Sequence, residues 1–355
     1  MDNIYIYGIQ QIGVGVYDVC IAQKWYGTFL GADISVFDDD NVATYMAPYM
    51  GGNPHKKRAI FALNLQGGSG YELWQYLDRT PSFPEENSNL GDLGIIISKV
   101  KSRNIQKSFE RLKQQGIEII SEITTNPDRV KSFYIKDPWN NILQIKESSD
   151  WFLKGKSDIG GVFGCTIGVT DIEASRKLYS DILGYDEVVF DETGVFDDLS
   201  MLHNGQGKFR RVLLTHNEKR RGGFARMFQS SQLELIQSVD DYSPKRIFEG
   251  RYWGDIGFIH LCFDVRNISG LMKKCANAGF PFSVRSSETF DMGETNGGWG
   301  YLEDPDGTLI EFVEAHKVSI IKKLKIEIDM TKRNPDKPLP KWIIKGLSFK
   351  RVKFK

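Results

Sequence analysis

Along residues 11–31, QIGVGVYDVCIAQKWYGTFLG, alternating apolar and polar positions give way at Asp18 to a helical spacing that ends in Tyr-x-x-x-Leu-Gly. Residues 164–184, GCTIGVTDIEASRKLYSDILG, repeat the pattern with the switch at Asp171. A period of two predicts a strand and the longer period an amphipathic helix. The two Asp residues are placed to cap helix N-termini by accepting orphan backbone N–H groups. Gly31 and Gly184 suit the left-handed position that ends a helix. Trp25, Phe29 and Leu30 are spaced to share one buried face, as are Leu178, Ile182 and Leu183.

A second pair of segments matches without a gap. GDLGIIISKVKSRNIQKSFERLKQQG (91–116) runs in register with GDIGFIHLCFDVRNISGLMKKCANAG (254–279), with Ile97 opposite His260. Short β-rich runs follow each helix. In the even-numbered units the last two strands are joined by proline turns at Asp137-Pro138 and Asp304-Pro305-Asp306-Gly307, where Pro fixes φ and Gly tolerates a positive φ. Each unit reads strand–helix–strand–strand–strand. The units span 4–79, 91–147, 160–240 and 254–315, with linkers at 80–90, 148–160 and 240–252.

These V-x-D, Y-x-x-x-L-G, L-E-L and D-P-x-G signals, on a βαβββ unit, resemble the vicinal oxygen chelate superfamily over residues 4–315. That group includes glyoxalase I, methylmalonyl-CoA epimerase, extradiol dioxygenases and the fosfomycin and bleomycin resistance proteins. The resemblance implies an α+β fold: four βαβββ modules pairing into two eight-stranded, cup-shaped sheets. In sequence order the units fall into a first domain (1–150), a second (160–316) and a basic tail (317–355). The resemblance also implies one divalent metal per cup, with two ligand positions from each unit.

Those positions fall on Gln11 and Glu72 in unit one, Ile97 and Gln144 in unit two, Gly164 and Glu234 in unit three, and His260 and Glu311 in unit four. Ile and Gly cannot bind a metal, and Gln144 is a weak neutral ligand. If neighbouring units pair, the first cup is broken and the second keeps Glu234, His260 and Glu311. If outer units pair, Gln11, Glu72, His260 and Glu311 form one complete set, and the losses fall together in the other cup. Outer pairing is the more economical reading, and it matches four-unit glyoxalase I proteins; extradiol dioxygenases pair neighbours. Glu234 is the alternative ligand. A lone strand His is ordinarily a packed core residue, and a strand Glu an ordinary solvated one. Four polar residues on four family positions point instead to a metal. The ligand set suits Zn, Ni, Mn, Mg or Fe without choosing between them.

A Lewis-acidic metal with open positions supports proton transfer beside a carbonyl, in an isomerase, epimerase or lyase. By resemblance Glu311 is the base and Glu72 its counterpart across the site, acting on a small oxygenated substrate. Non-haem Fe(II) oxygenation ordinarily uses two His and one carboxylate, yet the family's other strand His position is Gly164. An extradiol-type dioxygenase is the alternative, and would need His203 or His216. His55, His203, His216 and His316 match no ligand position. The family's glutathione-holding arginines fall here on Gly15 and Ile256, and an associated Asn on Tyr76, so the expected substrate is not glutathione-linked. Arg58, Arg210, Arg211 and Arg226 are candidate anion anchors, each also readable as surface charge. A third reading is a non-catalytic small-ligand protein, its cup lined by Trp74, Tyr76, Trp299 and Tyr301.

Composition narrows the setting. The 355 residues are 41% hydrophobic and 26% charged, with 46 basic and 46 acidic side chains. That balance gives no nucleic-acid signature. From Lys317 onward there are thirteen Lys/Arg against three Asp/Glu, so the tail carries +10 and the rest of this neutral chain −10. The tail is expected to dock on the acidic body; contact with an anionic membrane surface is the alternative. Four dispersed cysteines (Cys20, Cys165, Cys262, Cys275), no signal-peptide pattern and no spanning apolar stretch fit a reducing cytoplasm. Four units in one chain can replace a two-chain assembly, so a monomer or a homodimer is expected. Gly67–Gly70 reads as a turn, and Gly293–Gly300 as a hairpin loop or a lid.

Overall fold

The computed structural model describes residues 3–85, 88–228, 230–286, 290–291, 295–321 and 326–354. Unit one comprises β1 (Tyr5–Gly15), α1 (Val19–Leu30), β2 (Ile34–Val42), β3 (Lys56–Leu63) and β4 (Gly70–Tyr76). Unit two comprises β5 (Gly94–Ser102), α2 (Ile105–Gln114), β6 (Thr124–Thr125), β7 (Lys131–Lys136) and β8 (Ile142–Glu147). Unit three holds β9 (Ile159–Gly168), α3 (Ile172–Tyr179), β10 (Glu187–Gly194), β11 (Phe209–Thr215), the short α4 (Ala225–Phe228) and β12 (Gln232–Ser238). Unit four holds β13 (Gly257–Arg266), α5 (Ile268–Asn277), β14 (Phe282–Arg285), β15 (Phe290–Asp291), β16 (Thr295–Glu303) and β17 (Leu309–Ile321). β18 (Ile326–Asp329) and α6 (Lys341–Lys345) follow.

The fold is α+β, with two curled eight-stranded sheets built from repeated βαβββ modules. One sheet runs β14-β16-β17-β13-β1-β4-β3-β2, with β15 and β18 added at β16 and β17; the other runs β10-β11-β12-β9-β5-β8-β7-β6. Units one and four therefore make the outer sheet, and units two and three the inner one. Each sheet takes one unit from residues 1–150 and one from 160–316, so the sheets do not follow the sequential halves.

Local signals act as the sequence leads one to expect. Asp18 accepts from the Cys20 and Ile21 amides, and Asp171 from those of Glu173 and Ala174. Gly31 adopts φ 68° and Gly184 φ 71°. α3 stops at Tyr179, short of the expected Leu-Gly end, because the next turn loosens: the Ser180 and Asp181 amides both bond the Arg176 carbonyl.

The Tyr of each Y-x-x-x-L-G motif serves the next unit. The Tyr26 hydroxyl donates to Asp137 Oδ2 at 2.6 Å, and the Tyr179 hydroxyl to Asp304 Oδ2 at 2.9 Å. Each of these Asp residues also ties its own proline turn, Asp137 through the Trp139 and Asn141 amides and Asp304 through those of Asp306 and Thr308. Neighbouring units are thus joined from helix to turn, while sheet pairing joins units in the other combination.

The regular strand pattern continues past residue 316, because β17 runs to Ile321 and β18 pairs with it. Beyond it the tail lies on the body. Leu339, Ile343, Ile344 and Leu347 are buried in one apolar cluster with Phe61, Leu63 and Phe224. Arg351 pairs with Asp33, and the Val352 amide bonds the Asp33 carbonyl. Trp342 and Phe349 face solvent. Among the described residues no helix is long and apolar enough to cross a membrane. Leu65–Gly67 form a turn, and the chain enters β4 at Gly70. Of the expected hairpin loop, Gly293 and Glu294 lie outside the described residues and Thr295–Gly300 belong to β16.

Candidate metal centre

Strand register assembles the outer set. β1 runs antiparallel to β13, with Gln11 opposite Cys262 and Gly13 opposite His260. β4 lies parallel on the other side of β1, with Glu72 beside Gly13, and β17 lies parallel to β13, with Glu311 beside Cys262. Alternate residues share a face, so four side chains from four adjacent strands converge. Gly13 is a steric requirement: a Cβ there would sit 2.3 Å from His260 Cε1.

His260 Nε2 is 3.1 Å from Glu311 Oε2 and 3.3 Å from Glu72 Oε2. Gln11 Nε2 is 3.1 Å from Glu72 Oε2 and 3.5 Å from Glu311 Oε2. One ligand atom from each of Glu72, His260 and Glu311 falls within 4.8 Å of the other two. Gln11, His260 and Glu311 are buried; Glu72 keeps some exposure. Burial alone would lower the imidazole pKa, but the Glu311 and Glu72 carboxylates outweigh it and push His260 up to about 9. Burial raises Glu311 in turn, and the facing His260 brings it net below the usual carboxylate range.

The residues present fit a divalent cation. Gln11 Oε1 and His260 Nδ1 are buried with no hydrogen-bond partner, and His260 Nε2 faces only the two carboxylate oxygens. Buried polar atoms are nearly always satisfied, and an exception calls for a reason. An ion held by Gln11, Glu72, His260 and Glu311 would supply one, and would offset the two closely spaced carboxylates.

The inner cup has closed on itself. Lys99 stands opposite Gly164 and beside Gln144. Its Nζ donates to Glu234 Oε2 at 2.5 Å and to Gln144 Oε1 at 2.7 Å. Arg211 Nε donates to Glu234 Oε1 at 2.6 Å, and its two terminal nitrogens bond Asp198 at 2.8 and 3.0 Å. Glu234, the alternative ligand, therefore lies in the other sheet, with side-chain cations where an ion would sit. Burial opposes its charge, but Arg211 and Lys99 hold its carboxyl well below the usual range.

Sequence reasoning missed Lys99. Its signal is a lysine inside the apolar run IIISKVK, two residues after a ligand position and so on the same strand face. Arg211, considered as an anion anchor, is instead buried in this network. Arg58 is held by Asp38, and Arg210 by Asp191 and Glu173. His55 pairs with Asp78. His216 packs on Tyr185 in unit three. His203 and His316 are likewise not in the cluster. At Gly15 a Cβ would meet the Asp255 carbonyl oxygen at 1.9 Å, leaving no room for an arginine side chain.

Two cavities open onto the centre. One, of about 250 Å³, reaches Glu72 and Glu311 between Phe37, Met46, Trp74, Trp253, Trp299 and Tyr301. The other, of about 90 Å³, reaches Gln11 and the same two carboxylates and is walled mainly by apolar side chains, including Leu347 of the tail. Tyr76 lines neither, and its hydroxyl donates to the Trp253 carbonyl at 2.6 Å. A larger crevice of about 660 Å³ touches none of the four converging side chains.

A family model described as "Glyoxalase/Bleomycin resistance protein/Dioxygenase superfamily" matches residues 165–295. No curated protein sequence matches the chain. Among solved structures, a "putative dioxygenase" from Bacillus subtilis subsp. subtilis str. 168 is similar over 87% of this chain and 86% of its own, at 13% identity and a TM-score of 0.55. Glyoxalase I from Zea mays is similar over 88% of this chain and 92% of its own, at 12% identity and a TM-score of 0.51. At such identities the likeness concerns the fold.

Proposed function

We propose, from the premise that the chain has the fold of the glyoxalase/bleomycin resistance/dioxygenase superfamily, that it is a divalent-metal-dependent enzyme. It moves a proton beside a carbonyl on a small oxygenated substrate, as an isomerase, epimerase or lyase does. The observation that carries this reading is the convergence of Gln11, Glu72, His260 and Glu311, set against an inner cup filled by Lys99 and Arg211. An ion held by Gln11, Glu72, His260 and Glu311 would supply Lewis acidity to oxygens of the substrate.

The chain's own groups do the rest. Glu311 and Glu72 border the larger cavity, where substrate carbon can reach them. Glu311 takes the proton from the carbon next to the carbonyl, and Glu72, on β4 with two strands between it and β17, returns one or keeps the other face charged. The aromatic walls exclude water from the exchanging carbon. One imidazole and two carboxylates favour this chemistry over an extradiol-type dioxygenase, which ordinarily draws on two imidazoles.

The test combines metal content with solvent-deuterium exchange into 2-hydroxyacetophenone, followed by NMR. Expected are about one metal per chain, its loss in Glu72→Ala and His260→Ala, its retention in Glu234→Ala, and metal-dependent exchange at the carbinol carbon. Ring-opened product from added catechol, with oxygen uptake in the presence of Fe(II), would replace this reading with the dioxygenase. Metal uptake without turnover of any kind would leave a binding protein.

A further inference from the structure

The two cavities at the centre share Phe37, Glu72 and Glu311 and differ in the rest of their walls. Along β4, the larger reaches Trp74, two residues after Glu72, while the smaller reaches Leu63, which pairs with Gly70, two residues before Glu72. A molecule with its adjacent oxygens at the centre thus projects one substituent into each cavity. Neither side is built for an anion. Lys57 is the one cation among the described residues lining the larger cavity, and its ammonium is paired with Asp39. No Arg or Lys is among the described residues lining the smaller one. The larger offers Trp74, Trp253, Trp299 and Tyr301, rings that favour stacked or edge contacts with another ring. The smaller offers Phe61, Leu63, Phe224, Met227 and Val313, with room for a short chain only.

We infer that the substrate carries its two adjacent oxygens internally, between an uncharged aromatic ring in the larger cavity, against Trp74 and Trp253, and a short aliphatic group in the smaller one, against Leu63 and Met227. An aryl alkyl α-hydroxyketone has this form; an anionic thiol conjugate does not. The inference rests on the proposed metal chemistry for the placement of the oxygens, and on the cavity walls alone for the substituents.

Hydroxamates test both parts, because they present two adjacent oxygens with one substituent on each side. Acetohydroxamate, benzohydroxamate, N-methylbenzohydroxamate and 4-carboxybenzohydroxamate are titrated calorimetrically into Zn(II)-loaded protein. Benzohydroxamate is expected to bind at least about tenfold tighter than acetohydroxamate, since burying a ring is worth more than the roughly 1.4 kcal/mol this requires. The N-methyl compound keeps that affinity, and the 4-carboxylate loses it. Trp299→Leu, at a half-buried position, weakens benzohydroxamate binding more than acetohydroxamate binding and so removes the preference for the ring. Equal affinities for the acetyl and benzoyl compounds, tighter binding of the 4-carboxylate, or exclusion of the N-methyl compound would overturn the inference while the metal reading stands. If the protein takes up no metal, the metal reading fails by itself. Acetophenone binding to that same protein by NMR then decides the ring cavity: saturable binding weakened by Trp299→Leu supports the inference, and no saturable binding overturns it.

Discussion

At the scale of single residues, the two cups solve one electrostatic problem in two ways. Carboxylates buried on a strand face need a cation close by, because desolvation of the charged form is otherwise too costly. The inner cup supplies Lys99 and Arg211 from the chain itself; in the outer cup that task falls to protonated His260 or to an ion. His260 sits at about 9 against an ordinary 6.5. Its folded pKa is raised, so without metal its contribution to stability is complete below pH 6.5 and is lost as pH rises through 9. Urea unfolding of metal-free protein should show a loss on the order of 2–3 kcal/mol across that window, absent in His260→Gln. Metal affinity should climb over the same window, because an ion competes with the imidazole proton. Lys99→Ala, which strips one cation from the buried Glu234, should cost about 3–5 kcal/mol in the same experiment without changing metal content. Of the eight ligand positions read from sequence, the four outer ones converge. What sequence reading passed over was the lysine that closes the inner cup, since a charged residue in a strand is ordinarily taken for a solvated one.

At the scale of elements, turn and helix motifs that read as local punctuation also carry long-range contacts. Asp18 and Asp171 cap helices, as their places after alternating strands imply, and their roles were legible because capping is a local property. Tyr26 and Tyr179 were legible only as ends of helices. Their hydroxyls are the outer anchors of the Asp137 and Asp304 turns, more than a hundred residues away in sequence. Tyr26→Phe leaves the buried Asp137 short of a donor and should cost about 2 kcal/mol, measured by chemical denaturation. Tyr179→Phe should cost a similar amount, since the two junctions repeat. Gly13 is a further element-level constraint. Gly13→Ala should impair metal retention more than stability, measured by metal content after dialysis, because the displaced part is the imidazole of His260.

At the scale of the whole molecule, two kinds of junction weave four units into one body: sheet pairing joins one with four and two with three, while helix-to-turn bonds join one with two and three with four. The basic tail adds a third tie, burying Leu339, Ile343, Ile344 and Leu347 against the outer sheet and lining the smaller cavity with Leu347. Truncation after Lys337 should lower the melting temperature by roughly 5 °C or more, measured by calorimetry, through the apolar surface it uncovers. The sequence by itself determined the unit, its four copies, its caps and turns, and which of the expected ligand positions hold residues unable to bind a metal, because periodicity, capping and side-chain identity are properties of neighbouring residues. It favoured outer pairing by economy of ligands but could not establish it, since matching strands leave more than one partner open. The partner is chosen by contacts between strands some 250 residues apart, such as Gly13 with His260. Only that tertiary choice brings Glu72 and Glu311 to one imidazole, places Glu234 with Lys99 and Arg211, and opens two cavities onto the centre.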